Sequence, residues 1–198
     1  MLCVLLTMYH LYQTPAFILG GTNVSEGSKL ISFLTRDLGL VRAHARSVRE
    51  ERSKLRGYLQ PFTFVEVALI RGRDLWRVTT AGPLGGELRR ESRSIQLRAL
   101  ARYSKLIERV IQGEEQNKEL FNECESAVLF LSVLEESETV TWEVLSVARI
   151  LDMEGYLNLS QLEEMKTASW GFQLFHLAKK EEGKLIRMVN EALLASQL

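Results

Sequence analysis

Eight cations crowd the stretch from 42 to 73, about one sixth of the chain: Arg42, Arg46, Arg49, Arg52, Lys54 and Arg56, then Arg71 and Arg73 on either side of Gly72. Side chains of this type at this density suit the neutralisation of a polyanion, because each phosphate met by a cation releases condensed counterions and so favours binding. The competing reading is a solvated surface, the usual fate of a charge run. Two features favour the first. The cations flank the alternating stretch Phe62, Thr63, Phe64, Val65, Glu66, Val67, Ala68, Leu69, Ile70, which reads as a strand, and a barrel wall can hold several cations along one groove. Phe62, Phe64 and Trp76 are interleaved with them and are of a type that stacks on bases, although aromatics that alternate in strands more often fill a core.

Other chemistries find few residues. His10, His44 and His176 share no metal-ligand spacing, and Cys3 and Cys124 are too few and too far apart for a disulfide framework or a zinc site. Gly20-Gly21 and Gly85-Gly86 lack the frame of a phosphate loop. Met153, Met165 and Met188 fit helical core. No Ser/His/Asp set or paired-carboxylate context stands out, so the expectation is a binding protein and not an enzyme, with no catalytic residue, metal or cofactor.

The elements that must position the cations follow from periodicity. Strands are expected over 13–23, 29–35, 40–45, 62–70 and 75–81, with a polar, basic, aperiodic and mobile loop over 46–59 that holds at most one helical turn. Five short strands in about 80 residues, with a long connection between the third and fourth, fit a Greek-key barrel of the OB type better than a sandwich, which usually needs about seven. Beyond Gly82 and Pro83 the period changes from 2 to 3.6. A helix is expected over 92–112, with Ala99, Tyr103, Leu106 and Val110 on its apolar face and Arg98, Arg102, Lys105 and Arg109 beside them. Asn117 caps a second helix whose Leu120, Phe121, Cys124, Val128, Leu131 and Leu134 share a face, and a third covers 141–153 and stops at Gly155. Ser160 and Glu163 have capping-box spacing for a fourth helix reaching about Lys180, and a break at Gly183 precedes the last. The fold class is therefore α+β: an N-terminal five-stranded OB-fold β-barrel over 1–82, then an all-α helical domain over 83–198.

Composition agrees with two surfaces of different character. Net charge is zero over 198 residues. Residues 1–112 nevertheless hold 18 Lys and Arg against 9 Asp and Glu, while 113–198 hold 7 against 16. Local field, more than the total, steers a charged partner. The opening MLCVLLTM has no basic stretch before its apolar run and no cleavage site after it, so it reads as a loose tail, with Met8 an alternative start, and not as a signal peptide. No run approaches the ~18 apolar residues of a membrane span, and a reducing cytoplasm suits the two cysteines.

SKLRGYLQPFTFVEVALIRGRDLWRVTTAG at 53–82 closely resembles the bacterial DNA repair and recombination family RecO. SFLTRDLGLVRAHARSVR at 32–49, AFILGG at 16–21, NKELF and VARILDMEGY extend the resemblance over roughly 16–156. It implies an OB-fold and a helical domain, binding of single- and double-stranded DNA, and annealing of complementary strands coated with single-stranded-DNA-binding protein. It also implies a partnership with RecR in loading the RecA recombinase. The tail of single-stranded-DNA-binding protein, acidic and apolar-ended, is then expected to dock where apolar and basic stripes adjoin, near Arg98, Arg102 and Arg109. Many members carry four zinc-ligating cysteines after Gly155-Tyr156. Here NLSQLEEMKTASW follows, so the family's zinc module is absent from this chain. The rival readings are an RNA-binding OB-fold protein and a protein–protein adaptor with an inert barrel.

Elemental analysis of the purified 198-residue chain is expected to find zinc well below one per molecule. Stoichiometric zinc whose chelation unfolds the protein would contradict that expectation.

Overall fold

The computed structural model describes residues 10–73, 75–84, 94–111 and 113–197. The opening tail, Cys3, the Gly85-Gly86 pair and the first residues of the expected helix at 92–112 lie outside them. Five strands, β1 (Leu11–Asn23), β2 (Lys29–Thr35), β3 (Gly39–Ala45), β4 (Phe64–Arg71) and β5 (Trp76–Pro83), close a barrel in the order β1-β2-β3-β5-β4. All neighbours are antiparallel except β3 and β5, whose parallel seam pairs Ala43 with Trp76 and His44 with Arg77. Strand alternation sends Ala16, Ile18, Ile31, Phe33, Val41, Ala43, Val65, Val67 and Leu69 inward as one core. At Leu19 the β1–β2 register slips by a residue between Ile18 and Gly20, a bulge that bends the long first strand around the barrel.

Two local differences from the sequence expectation concern the approach to β4. Phe62 does not belong to the strand: it sits at φ +64, held by its N–H donating to the Ile18 carbonyl at 2.8 Å, and the strand begins at Phe64. Residues 46–59 form successive turns, including one i→i+4 bond from Leu59 N–H to the Leu55 carbonyl at 2.9 Å. Buried Val48 and Leu59 plug this loop into the barrel core, so its apolar residues anchor it although its charges gave it the pattern of a free loop.

The helical domain consists of α1 (Ser94–Val110), α2 (Lys118–Leu131), α3 (Thr139–Met153), α4 (Glu163–Thr167), α5 (Phe172–Lys180) and α6 (Glu182–Ser196), with two short 3-10 turns at Glu136–Glu138 and Ser160–Leu162. Asn117 Oδ1 accepts from Leu120 N–H at 3.0 Å and caps α2. Past α3, Gly155 at φ +77 closes a Schellman motif: Tyr156 N–H donates to Leu151 at 2.8 Å and Gly155 N–H to Asp152 at 3.1 Å. The α3 helix is apolar nearly all round and lies at the centre of the bundle.

The single helix expected from Ser160 to Lys180 is instead α4 and α5, with no cap from Ser160. Met165 and Leu174 are both buried, yet nine residues at about 100° each would put them on opposite sides of one straight helix. A break at Ala168 in extended conformation lets both face inward. The next break falls at Glu181, and Gly183 lies within the first turn of α6.

Barrel and bundle meet through outward-facing strand residues. Phe17 stands opposite Leu34 on β2 and opposite Phe64 on β4, so the three form one row across the outside of the barrel. The Phe17 and Phe64 rings stack at 4.6 Å, Phe121 of α2 meets Phe64 edge-on at 6.1 Å, and all join the core of the helical domain. Phe17→Ala is expected to lower stability by about 3–5 kcal/mol, read as a fall in urea midpoint, because it opens a cavity between barrel and bundle. A loss below about 1 kcal/mol would mean that the two parts do not depend on this row.

Candidate nucleic-acid interface

Along β3 the side chains alternate, with Val41, Ala43 and Ala45 inside and Arg42 and His44 outside, and Arg46 is exposed in the turn that follows the strand. Across the parallel seam Arg77 lies level with His44 on the outer face of β5. Beyond Arg46 the chain turns through Arg49, Arg52, Lys54 and Arg56, all exposed, beside the β1–β2 hairpin. There the Arg49 N–H donates to the Gly27 carbonyl at 3.1 Å and its guanidinium reaches the Ser25 carbonyl at 3.4 Å. At the other end of the barrel, Arg71 and Arg73 flank the β4–β5 turn. Gly72 is required there because a Cβ would come within 2.5 Å of the Leu75 carbonyl oxygen.

The eight sequence-predicted cations thus fall in three places: five from Arg46 to Arg56 around one end, Arg42 on the wall, and Arg71 with Arg73 at the opposite mouth. They form a stripe along the β3–β5 side, away from the Phe17 row that the helices cover. Among the described residues no ion pair ties down Arg42, Arg46, Arg49, Arg52, Lys54, Arg56 or Arg73; Arg71 pairs with Glu114 at 2.5 Å.

The three aromatics are used for packing, the commoner role of aromatics that alternate in strands. Phe64 is locked between Phe17 and Phe121, and Phe62 packs on the helical core. Trp76 is 4% exposed inside the barrel end. The exposed aromatics near the stripe are Tyr58, in the basic loop, and Tyr12, edge-on to Trp76 at 5.2 Å. Sequence reasoning passed over both, although a tyrosine in an aperiodic basic loop was visible as Gly57-Tyr58. Arg77 was also missed as a wall residue, and its outward direction follows from buried Trp76 and Val78 on either side.

The second basic stripe is a separate surface. Arg98, Arg102, Lys105 and Arg109 are exposed on α1, but Arg102 forms two bonds to Glu143 of α3 at 2.5 and 2.6 Å, which raise its pKa further. Arg109 donates to the Gln197 carbonyl at 3.2 Å, and Arg98 to that of Ser94 at 3.3 Å. An open cleft of about 930 Å³ lies elsewhere, between α4 and α5, with Phe172, Leu174 and Leu177 in its wall and His176 and Lys180 beside them.

A smaller cleft of about 480 Å³ carries Glu123, Arg149, Asp152 and Lys166. These charges are committed to one another. Arg149 pairs with Glu123 at 2.9 Å, donates to the Ala168 carbonyl at 2.7 Å and lies over the Trp170 ring, whose N–H donates to Glu123 at 2.7 Å. Asp152 takes Lys166 at 3.2 Å and the Leu159 N–H at 2.7 Å. The arrangement fastens the α4–α5 break to α2 and α3. Nearby, burial pushes the Cys124 thiol up to about 12, so it packs as an inert apolar group against the Tyr103 hydroxyl.

The closed barrel, its parallel closing seam and its attached bundle define an OB-fold protein with one cationic side. Residues 8–86 match the family described as Recombination protein O N terminal. The DNA repair protein RecO of Dehalococcoides mccartyi strain 195 is 35% identical over 156 residues, covering 76% of this chain and 59% of that protein. That of strain CBDB1 is 35% identical over 132 residues, covering 66% of this chain and 49% of the relative. The chain belongs to the RecO family, and it spans between about half and three-fifths of the length of these relatives. Among the described residues no helix is long and apolar enough to cross a membrane.

Burial raises the Glu123 carboxyl above its ordinary value, against the opposing pull of Arg149 and the Trp170 N–H. An acid whose folded pKa is raised stabilises the fold fully below its unfolded pKa, and that contribution is lost as pH rises through the folded value. Wild type is therefore expected to lose stability relative to Glu123→Gln as pH rises above the ordinary glutamate value of about 4.3, read from paired urea midpoints. A difference moving the other way would show that Arg149 and Trp170 outweigh burial.

Proposed function

We propose that this chain is a DNA-binding mediator of recombinational repair that works by binding and not by making or breaking bonds. The observation that carries the reading is the stripe of exposed cations along the β3–β5 side, opposite the face used to dock the helices. Such a stripe tracks a phosphate backbone and neutralises it without reading sequence. With cations at both ends of the barrel and on the wall between, two strands can be screened at once, which lowers their mutual repulsion and favours annealing. Both single- and double-stranded DNA are ligands in this reading.

The family supports the rest of the reading: annealing of strands coated with single-stranded-DNA-binding protein, and loading of RecA together with RecR. An acidic, apolar-ended tail needs an apolar pocket beside cations. The α4–α5 cleft, with Phe172 and Lys180, meets that need better than the α1 stripe, where Arg102 and Arg109 already have partners.

Arg49→Glu with Arg52→Glu tests the DNA reading, since both side chains are exposed and surface changes usually stay within about 0.5 kcal/mol of wild-type stability. Loss of two single-strand phosphate contacts should flatten the slope of log affinity against log salt by about 1.4. Reversal of Lys184 and Arg187 on α6 is the control and should leave the slope unchanged. Equal losses from the two pairs would remove the loop from the binding surface. A stronger preference for RNA oligomers than for DNA would favour the RNA-binding rival.

A further inference from the structure

One cation of the stripe is already occupied, and by an arrangement with the shape of a ligand site. The connector between α1 and α2 crosses the barrel mouth. Leu40 N–H donates to the Gly113 carbonyl at 3.3 Å, and Gln116 and Lys118 reach Asp37 at 3.3 and 3.8 Å. Gly39, at φ +70, lies so close beneath the connector that a Cβ would come within 2.3 Å of the Glu115 carbonyl oxygen. This crossing puts the Glu114 carboxylate between two donors of the barrel. One oxygen takes the Arg71 guanidinium at 2.5 Å and the other takes the Trp76 indole N–H at 2.8 Å, while Arg71 lies over the Trp76 ring at 5.2 Å.

We infer that Arg71 and the Trp76 N–H form a seat for one backbone phosphate at the barrel mouth, and that Glu114 fills it as an internal substitute until nucleic acid displaces it. The chemistry of the two anions supports the exchange. A carboxylate and a phosphodiester each present two oxygens to a guanidinium fork, and the buried indole fixes where one of them must sit. Trp76 is held by its place in the barrel end and Arg71 by its cross-strand partner Trp76, so the donors stay in place whichever anion is bound. Glu114 is the movable part. Its side chain is 38% exposed and belongs to a connector that has no helix or strand of its own. Displacement frees the segment that leads directly into Asn117, the cap of α2, so occupancy of the stripe is transmitted to the helical domain.

The inference rests on the DNA-binding reading, and the test separates the two. Full-length chain is titrated with a single-stranded oligonucleotide across a range of salt, as wild type, Glu114→Gln, Glu115→Gln, Arg71→Gln and the Glu114→Gln/Arg71→Gln pair. Glu115→Gln removes the same charge one residue on, without a bond to Arg71. Glu114→Gln should bind more tightly than wild type and steepen the salt slope by about 0.7, one single-strand contact, while Glu115→Gln leaves the slope unchanged. In the Arg71→Gln background the gain should vanish. Equal slopes for Glu114→Gln and Glu115→Gln, or a gain that survives Arg71→Gln, overturn the seat. If no variant binds the oligonucleotide, the DNA reading falls. The seat is then judged with inorganic polyphosphate, by the nitrogen-15 shift of the Trp76 indole, assigned by its loss in Trp76→Phe. A shift that Arg71→Gln abolishes keeps the seat, and an unmoved indole sinks it.

Discussion

The contact between the Phe17 row and the helices is the constraint from which the rest of the architecture follows. A small barrel usually buries one face of each strand and leaves the other to water. Here Ala16, Phe17, Ile18 and Leu19 are all buried, because alternate residues belong to two different cores. Phe17 and Leu19 face the bundle while Ala16 and Ile18 fill the barrel. Covering one side of the barrel in this way decides which side remains for a ligand. Arg42 on β3 and Arg46 just past its end stay exposed, and half-buried His44 and Arg77 lie level with each other across the seam.

Charge follows the same division. Cations dominate the part of the sequence that builds the barrel, and acidic residues dominate the part after α1. Most of the ion pairs involve the helical domain: Glu143 holds Arg102, Glu123 holds Arg149 and Asp152 holds Lys166. Among the described residues Arg42, Arg46, Arg52, Lys54 and Arg56 form no such pair, and Glu114 reaches across to Arg71. An exposed cation keeps its field available to a polyanion, whereas one paired within the fold has spent much of it. The α1 stripe and the barrel stripe look alike as sequence, yet they differ in this respect.

The connector between α1 and α2 links these two themes. It is short, polar and carries Glu114 and Glu115 side by side, and the barrel mouth receives it only because Gly39 has no side chain. A single carboxylate there joins the acidic domain to the basic one. The buried Glu123–Arg149–Trp170 set plays the corresponding role inside the bundle, where it ties the α4–α5 break to the central helix. Both devices fix loops through charged hydrogen bonds, and in the bundle these act together with the packing of Met165 and Trp170 on the helical core.

The sequence by itself determined the five strands, the change of period after Gly82, the Asn117 cap and the Gly155 stop, because each is set by alternation, by a capping side chain or by a positive φ within a few residues. It also showed the cations, whose density needs no structure to be noticed. Only the tertiary structure decided their division between two ends and a wall, since that depends on strand register and on which barrel face the helices cover. It decided that Phe64 packs outward, against Phe17 and the helices, while Trp76 packs into the barrel end, as both faces of an alternating strand were apolar enough to be core. It split the helix expected from 160 to 180, because Met165 and Leu174 have to reach the same interior from opposite sides of one axis. And it brought Glu114 to Arg71, forty-three residues apart, through a crossing that no local pattern encodes.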